Sequence, residues 1–166
     1  MKTKIEETML EEMDKDGLRK VLAECSPSTK FYIGSDSTRY KYKDVWMAEY
    51  ATVVIVHKDG NKGGRIFSQR IRRPDFDQNK AKPFQRLMQE VYYTSQIYLE
   101  FENELSDFHT EIHMDINPDE KYGSSCVVAQ AIGYIRGTCN IEPLVKPDAF
   151  AASFGADRVA AHKVAA

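Results

Sequence analysis

The run Val53-Val54-Ile55-Val56 does most to limit how this chain can fold. Four consecutive apolar residues, three of them valine, form a strand with no solvated side. Such a strand needs a neighbour along each edge and cover over each face. It sits inside a β-branched and aromatic stretch, Trp46 to His57. Lys58-Asp59-Gly60-Asn61-Lys62-Gly63-Gly64 comes next, with several residues suited to positive φ, and predicts a hairpin. Arg65 to Ile71 alternates charged and apolar residues, as a returning edge strand would. Upstream, residues 30–36 form a further strand around Phe31-Tyr32-Ile33, and polar Ser37 to Asp44 is expected as a long turn. The first three strands are thus an antiparallel meander.

Beyond the meander, helices and strands alternate. Pro83 suits the first turn of a helix reaching about Glu104, with Phe84, Leu87, Met88, Val91, Tyr98 and Leu105 on one face. Glu111 to Ile116 is a strand, and Asn117-Pro118-Asp119 turns the chain. A helix is expected from Cys126 to Arg136, with Gly137 at its C-terminus. Ile141 to Val145 is a short fifth strand, and Asp148 would cap a final Ala-rich helix reaching toward Lys163. Right-handed crossovers then place the fourth strand beside the first. The fold class is α/β: a mixed five-stranded sheet, order 3-2-1-4-5, second strand antiparallel, helices on both faces. Ahead of it, residues 3–24 carry Ile5, Met9, Met13, Leu18, Val21 and Leu22 at helical spacing. The expected division is an N-terminal amphipathic helix in 1–27 and one domain in 28–166. If its Met/Leu face is not buried within the chain, that helix would serve a partner or a homodimer.

Composition narrows the function classes. With 166 residues, 42% hydrophobic, the chain can build one substantial core. No apolar run approaches the roughly 18–20 residues of a membrane span, and the charged N-terminus is no secretory signal, so a cytoplasmic location is expected. Cys25, Cys126 and Cys139, without a CxxC pair, speak against a disulfide framework or structural zinc. A net charge of −2 excludes a uniformly basic nucleic-acid binder. The distribution is uneven, however. Arg65, Arg70, Arg72, Arg73, Lys80, Lys82 and Arg86 cluster against only Asp75 and Asp77, and from Glu90 to Glu120 the balance turns acidic. A phosphate-gripping surface beside a cation site would have this character.

Two strands run straight into an aspartate, Asp36 and Asp115. A carboxylate at a buried strand end is costly unless a cation or base compensates it. In the expected topology the two lie side by side at the carboxyl ends of parallel strands, where open α/β sheets bind ligands. Asp115 shares strand parity with His113, Glu111 and His109, a polar face along that strand. Glu90 lies at the border of the buried helical stripe and can reach the sheet, and Asp157, followed by His162 and Lys163, is a fourth acid. Carboxylates converging from separate elements suit Mg²⁺ or Mn²⁺, which prefer oxygen ligands. Two ions about 3.5–4 Å apart would activate water and stabilise a leaving oxygen, with Asp36 as the bridging carboxylate.

The order of elements and their acids resembles the ribonuclease H-like superfamily. More closely, Ile33-Gly34-Ser35-Asp36-Ser37, His113-Met114-Asp115-Ile116-Asn117 and Lys146-Pro147-Asp148-Ala149-Phe150-Ala151-Ala152, followed by Ala156-Asp157-Arg158, resemble the YkuK family of bacteria and phages over residues 28–163. The superfamily resemblance implies two-metal cleavage of phosphodiesters, leaving a 3′-hydroxyl and a 5′-phosphate. It makes Asp36, Glu90, Asp115 and Asp157 the metal ligands and His162 a mobile acid or product-release group. Proofreading-type exonucleases of this fold carry Asp-x-Glu on the first strand, whereas Asp36-Ser37-Thr38 supplies one acid. That leaves endonucleases acting on RNA, an RNA–DNA hybrid or structured DNA, with Arg70, Arg72, Arg73, Lys80 and Lys82 against the nucleic acid. Two alternatives stand beside it. One is a nucleic-acid-binding or assembly protein that kept the fold without turnover. The other is an actin-like phosphotransferase, which fits poorly because that group needs two such domains and a glycine-rich phosphate hairpin.

Overall fold

A computed structural model describes residues 7–60, 63–79, 83–119 and 127–151. Its organising element is one long hairpin. Strand β2 (Lys30–Tyr42) pairs antiparallel with β3 (Val45–His57) in unbroken register, from Lys30↔His57 to Tyr42↔Val45. Lys43 and Asp44 close it as a two-residue turn, both at positive φ (49° and 64°). The expected turn over Ser37–Asp44 is therefore strand for most of its length. Polarity is a misleading signal there, because this half of the hairpin runs past the core and needs no apolar face. Cross-strand pairs such as Tyr40↔Met47 and Lys41↔Trp46 hold it instead.

Strand β4 (Gly64–Pro74) returns along β3 as expected but runs on through Arg72, Arg73 and Pro74, opposite Glu49, Ala48 and Met47. It is not an edge throughout. Residues 8–11, expected as helix, form strand β1 (Thr8–Glu11), antiparallel to β4 with Thr8↔Arg72 and Met9↔Ile71. The open backbone donors and acceptors of β4 outweigh the weak helical preference of so short a segment. Helix α1 is correspondingly short (Lys15–Glu24). Asp14 sets its start by accepting a 2.9 Å hydrogen bond from the Gly17 amide. Met13, Leu18 and Leu22 enter the main core, so the face considered for a homodimer through residues 3–24 is largely used within the chain, leaving Met9 and Leu10 exposed.

Helix α2 (Pro83–Glu100) is followed by one further turn, α3 (Glu102–Leu105). The expected apolar face is buried except Phe84, which stays exposed at the N-terminal end. Strand β5 (His109–Met114) lies parallel to β2, from Lys30↔His109 to Ser35↔Met114, which is the adjacency the crossover rule requires. Helix α4 (Val128–Cys139) packs on α2, with Tyr92 and Tyr134 edge to face at 5.0 Å. It ends at Asn140, in the left-handed region at φ 56°, rather than at Gly137, which lies within the helix. The expected fifth strand shrinks to a single parallel bridge, Leu144 to His113.

The sheet order is β1-β4-β3-β2-β5. The expected arrangement of the four principal strands holds, with a strand added at one side and one reduced to a bridge at the other. Phe31, Ile33, Val54 and Val56 meet Leu87, Val91, Phe101 and Ile135 in the main core. On the opposite side of the sheet Tyr32 and His113 pack against Phe150. The last helix, expected on that side, falls outside the described residues. No described helix is long and apolar enough to cross a membrane. Cys25 and Cys139 are free thiols, and Cys126 lies outside the described residues.

One buried polar contact ties the helix to the sheet. The Ser35 hydroxyl bonds those of Thr52 at 2.8 Å and Thr94 at 2.7 Å. Thr94→Val leaves Ser35 with one partner fewer, and urea melts are expected to show a loss of about 1 kcal/mol.

Candidate metal centre

Asp36 and Asp115 each stand one residue past the last ladder pair of the parallel strands, Ser35↔Met114. The parallel β2–β5 pairing thus brings two carboxylates together where its ladder stops, Asp115 just past the end of β5 and Asp36 midway along β2. Asp36 accepts the Ser37 amide through Oδ1 at 2.9 Å, which fixes the carboxyl where the strand leaves the core. Ser37 then reaches across to the helix, its hydroxyl donating to Glu90 Oε2 at 2.9 Å. Glu90 is 5% exposed, on the buried side of α2 that its helical position predicts.

Burial pushes the Glu90 carboxyl well above the usual carboxylate range, and the charges of Asp36 and Asp115 push it further. The Ser37 hydrogen bond and the Arg86 guanidinium oppose this without reversing it. The structure therefore brings three of the four expected acids into one electrostatic neighbourhood. Their mutual repulsion is what a bound cation would relieve. A cavity of about 10 Å³, lined by Ser35, Glu90, Thr94, His113 and Asp115 among others, has room for roughly one small body.

The site is not a ready-made cage. Among the described residues no three His, Cys, Asp or Glu side chains are grouped to hold a metal ion. Lys146 already pairs with one of the acids, its Nζ 2.5 Å from Asp115 Oδ1. The sequence singles out the segment Lys146-Pro147-Asp148 without giving Lys146 this role. Asp157 and His162 lie outside the described residues, as do Lys80 and Lys82.

The polar face of β5 has a structural use. His113 is fully buried. Its Nε2 donates to Glu111 Oε1 at 3.0 Å, and its Nδ1 accepts the amides of Phe150 (3.0 Å) and Ala151 (3.1 Å). This pattern assigns the neutral tautomer protonated at Nε2. The ring thereby ties down the segment that carries Lys146. Burial holds the imidazole below its ordinary pKa, against the pull of Glu111. Burial also raises Glu111, but hydrogen bonds from His109 and His113 outweigh it and leave that carboxyl lowered.

These shifts make the His113 contribution dependent on pH. The folded pKa lies below the unfolded value near 6.5, so below that pH the unfolded chain takes up a proton that the folded chain resists, and stability falls. In EDTA, the melting temperature of the wild type should exceed that of His113→Phe by a margin that shrinks from pH 7 to pH 5. A margin constant with pH would contradict this.

The basic segment is less free than its sequence implies. Arg70 forms an ion pair with Glu49, and Arg73 reaches Glu7 at 3.3 Å and Gln89 at 3.4 Å. Acids distant in sequence, beyond Asp75 and Asp77, oppose these arginines. The Arg72 guanidinium instead lies 5.8 Å from the centre of the Tyr42 ring.

Comparison with curated proteins finds no match, and comparison with solved structures finds none. A family model described as ribonuclease H-like matches residues 13–161, nearly all of the chain, and the protein belongs to that family.

Proposed function

We propose that this chain is a divalent-metal-dependent nuclease that hydrolyses phosphodiester bonds by a two-metal mechanism, with Mg²⁺ or Mn²⁺ as cofactor. The observation that carries the reading is Glu90, a buried acid held toward its neutral form by burial and by two aspartates that stand just past the β2–β5 ladder. The donor set is all oxygen and anionic, which fits a hard cation. Asp36, Glu90 and Asp115 would hold the metal, with Asp157 as fourth ligand and Asp36 as the bridge. When bound, such ions polarise the scissile phosphate and lower the pKa of the attacking water.

The chain's own residues have separable tasks. Glu90 would hold the ion through its carboxylate, and Ser37 keeps its Oε2 directed at the site through the hydroxyl hydrogen bond. Lys146, now against Asp115, supplies a positive charge that can turn to a substrate phosphate when a metal takes its place. His162 is the proposed mobile acid or product-release group. Of the proposed nucleic-acid contacts, Arg72 fits best, because Arg70 and Arg73 are already engaged. Purified protein incubated with RNA, RNA–DNA hybrid or branched DNA in Mn²⁺ should cleave at least one of them. Cleavage that survives Asp36→Asn would overturn the proposal.

A second reading has an observation of its own. The contact of Lys146 with Asp115, without a ready-made cage among the described residues, favours a nucleic-acid-binding or assembly protein that turns nothing over. That reading requires binding indifferent to metal and to Asp115→Asn.

A further inference from the structure

The β2–β3 hairpin continues well beyond the site. Tyr42 lies six residues past Asp36 on the same strand, roughly 20 Å along it. Strand β5 ends opposite Ser35, so the outer half of β2 has no neighbour on that side among the described residues. This outer half is braced on one face. There the Arg39 guanidinium stacks 3.7 Å from the centre of the Trp46 ring and forms an ion pair with Asp75. Gln78 bonds both the Trp46 amide and its carbonyl at 2.9 Å, and the Asp75 amide donates to that carbonyl at 2.8 Å.

The other face is open. Strand parity places Asp36, Thr38, Tyr40 and Tyr42 on one side of β2, and Arg72 joins that side through Glu49. Tyr42 is 49% exposed, and its ring has Lys43 at 5.4 Å and Arg72 at 5.8 Å. Lys41 lies on the braced face, its Nζ 5.8 Å from the centre of the Trp46 ring, and Glu49, an acid on the open face, is occupied by Arg70. An exposed aromatic ring flanked by cations on a rigid β-ribbon matches an unpaired base with its neighbouring phosphates. A duplex offers such a ring only phosphates and groove edges, and an acidic protein partner would leave the ring face unused.

We propose that the outer half of this hairpin is a platform for a single-stranded nucleic-acid segment, with Tyr42 stacking on a base and Lys43 and Arg72 taking the flanking phosphates. This rests on the nuclease reading for its connection to Asp36 and names the form of substrate: a single strand, or a structured one with an unpaired stretch beside the cleaved bond. The platform works without metal, so it can be tested apart from catalysis.

The test is fluorescence anisotropy in EDTA, with a short fluorescein-labelled single strand and the blunt duplex of the same sequence, each as RNA and as DNA. Tyr42→Ala should weaken single-strand binding about tenfold, Tyr42→Trp should retain it, and duplex binding should barely change. The Lys43→Gln variant should flatten the salt dependence of single-strand binding by about 0.7 in log–log slope, the share of one phosphate. These side chains are exposed, and far-UV circular dichroism should confirm an unaltered fold. Single-strand binding by Tyr42→Ala equal to wild type overturns the platform, even if Mn²⁺-dependent cleavage persists, and so does a wild type that binds no single strand. Tyr42-dependent binding with no cleavage of any substrate in Mn²⁺ leaves the platform standing and removes the nuclease.

Discussion

Asp36→Asn should lower Mn²⁺-dependent cleavage by at least about 10³-fold while leaving the metal-free fold intact. The size of the effect comes from position. Asp36 stands midway along the strand shared by the hairpin and the parallel pair, one residue past its ladder with β5, and is the proposed bridging ligand. Asparagine keeps the shape and one carbonyl oxygen but removes a full charge. The Ser37 amide that Asp36 accepts can still find that oxygen. Near-normal thermal unfolding in EDTA together with lost cleavage is the expected pair of results. Loss of both would show instead that Asp36 holds this part of β2 together.

Glu90→Gln should separate stability from function in the opposite direction. At pH 7 the unfolded chain carries this glutamate ionised, whereas folding buries it beside two aspartates. A group whose pKa rises on folding contributes most below its unfolded value near 4.5, and that contribution is lost as pH climbs through the folded value. Glutamine has no charge to bury and retains an oxygen for the Ser37 hydroxyl. Denaturant melts in EDTA near pH 7 are expected to show the variant more stable than the wild type, by a margin that narrows as the pH falls toward about 4.5. The same substitution should abolish cleavage and weaken Mn²⁺ binding, measured by calorimetry. A variant less stable than wild type without metal would mean that the Glu90 charge is already compensated in the folded protein.

The parts of this fold that are legible in sequence are those set by burial and chain geometry. Val53–Val56 requires a central strand, and the crossover rule then places the strand that leads into Asp115 beside the one that carries Asp36. Glu90 is legible because a helical face has a calculable border. Strand β1 is not, since Thr8–Glu11 becomes extended only where the far end of β4 offers an open ladder, and no local pattern encodes that. The outer hairpin reads as a turn because a two-residue closure at Lys43-Asp44 lacks the glycine that usually marks one. The pairing of Arg70 with Glu49 and of Arg73 with Glu7 depends on register, so a charge count along the chain overstates the free basic surface. In sequence His113 belongs to a polar stripe, and only the returning segment at Phe150 and Ala151 reveals what its ring holds.

The parallel pairing of β2 with β5 also sets when the site can exist. The hairpin and β4 close through contacts near in sequence, so they can form early. Asp36 and Asp115, in contrast, are separated by all of β3, β4 and α2, and meet only once that length of chain has folded back. Long-range parallel closure is the slow kind of step. A chain emerging during synthesis would therefore have the hairpin proposed to bind nucleic acid well before its acidic centre, and the proposed cleavage would be among the last properties it acquires.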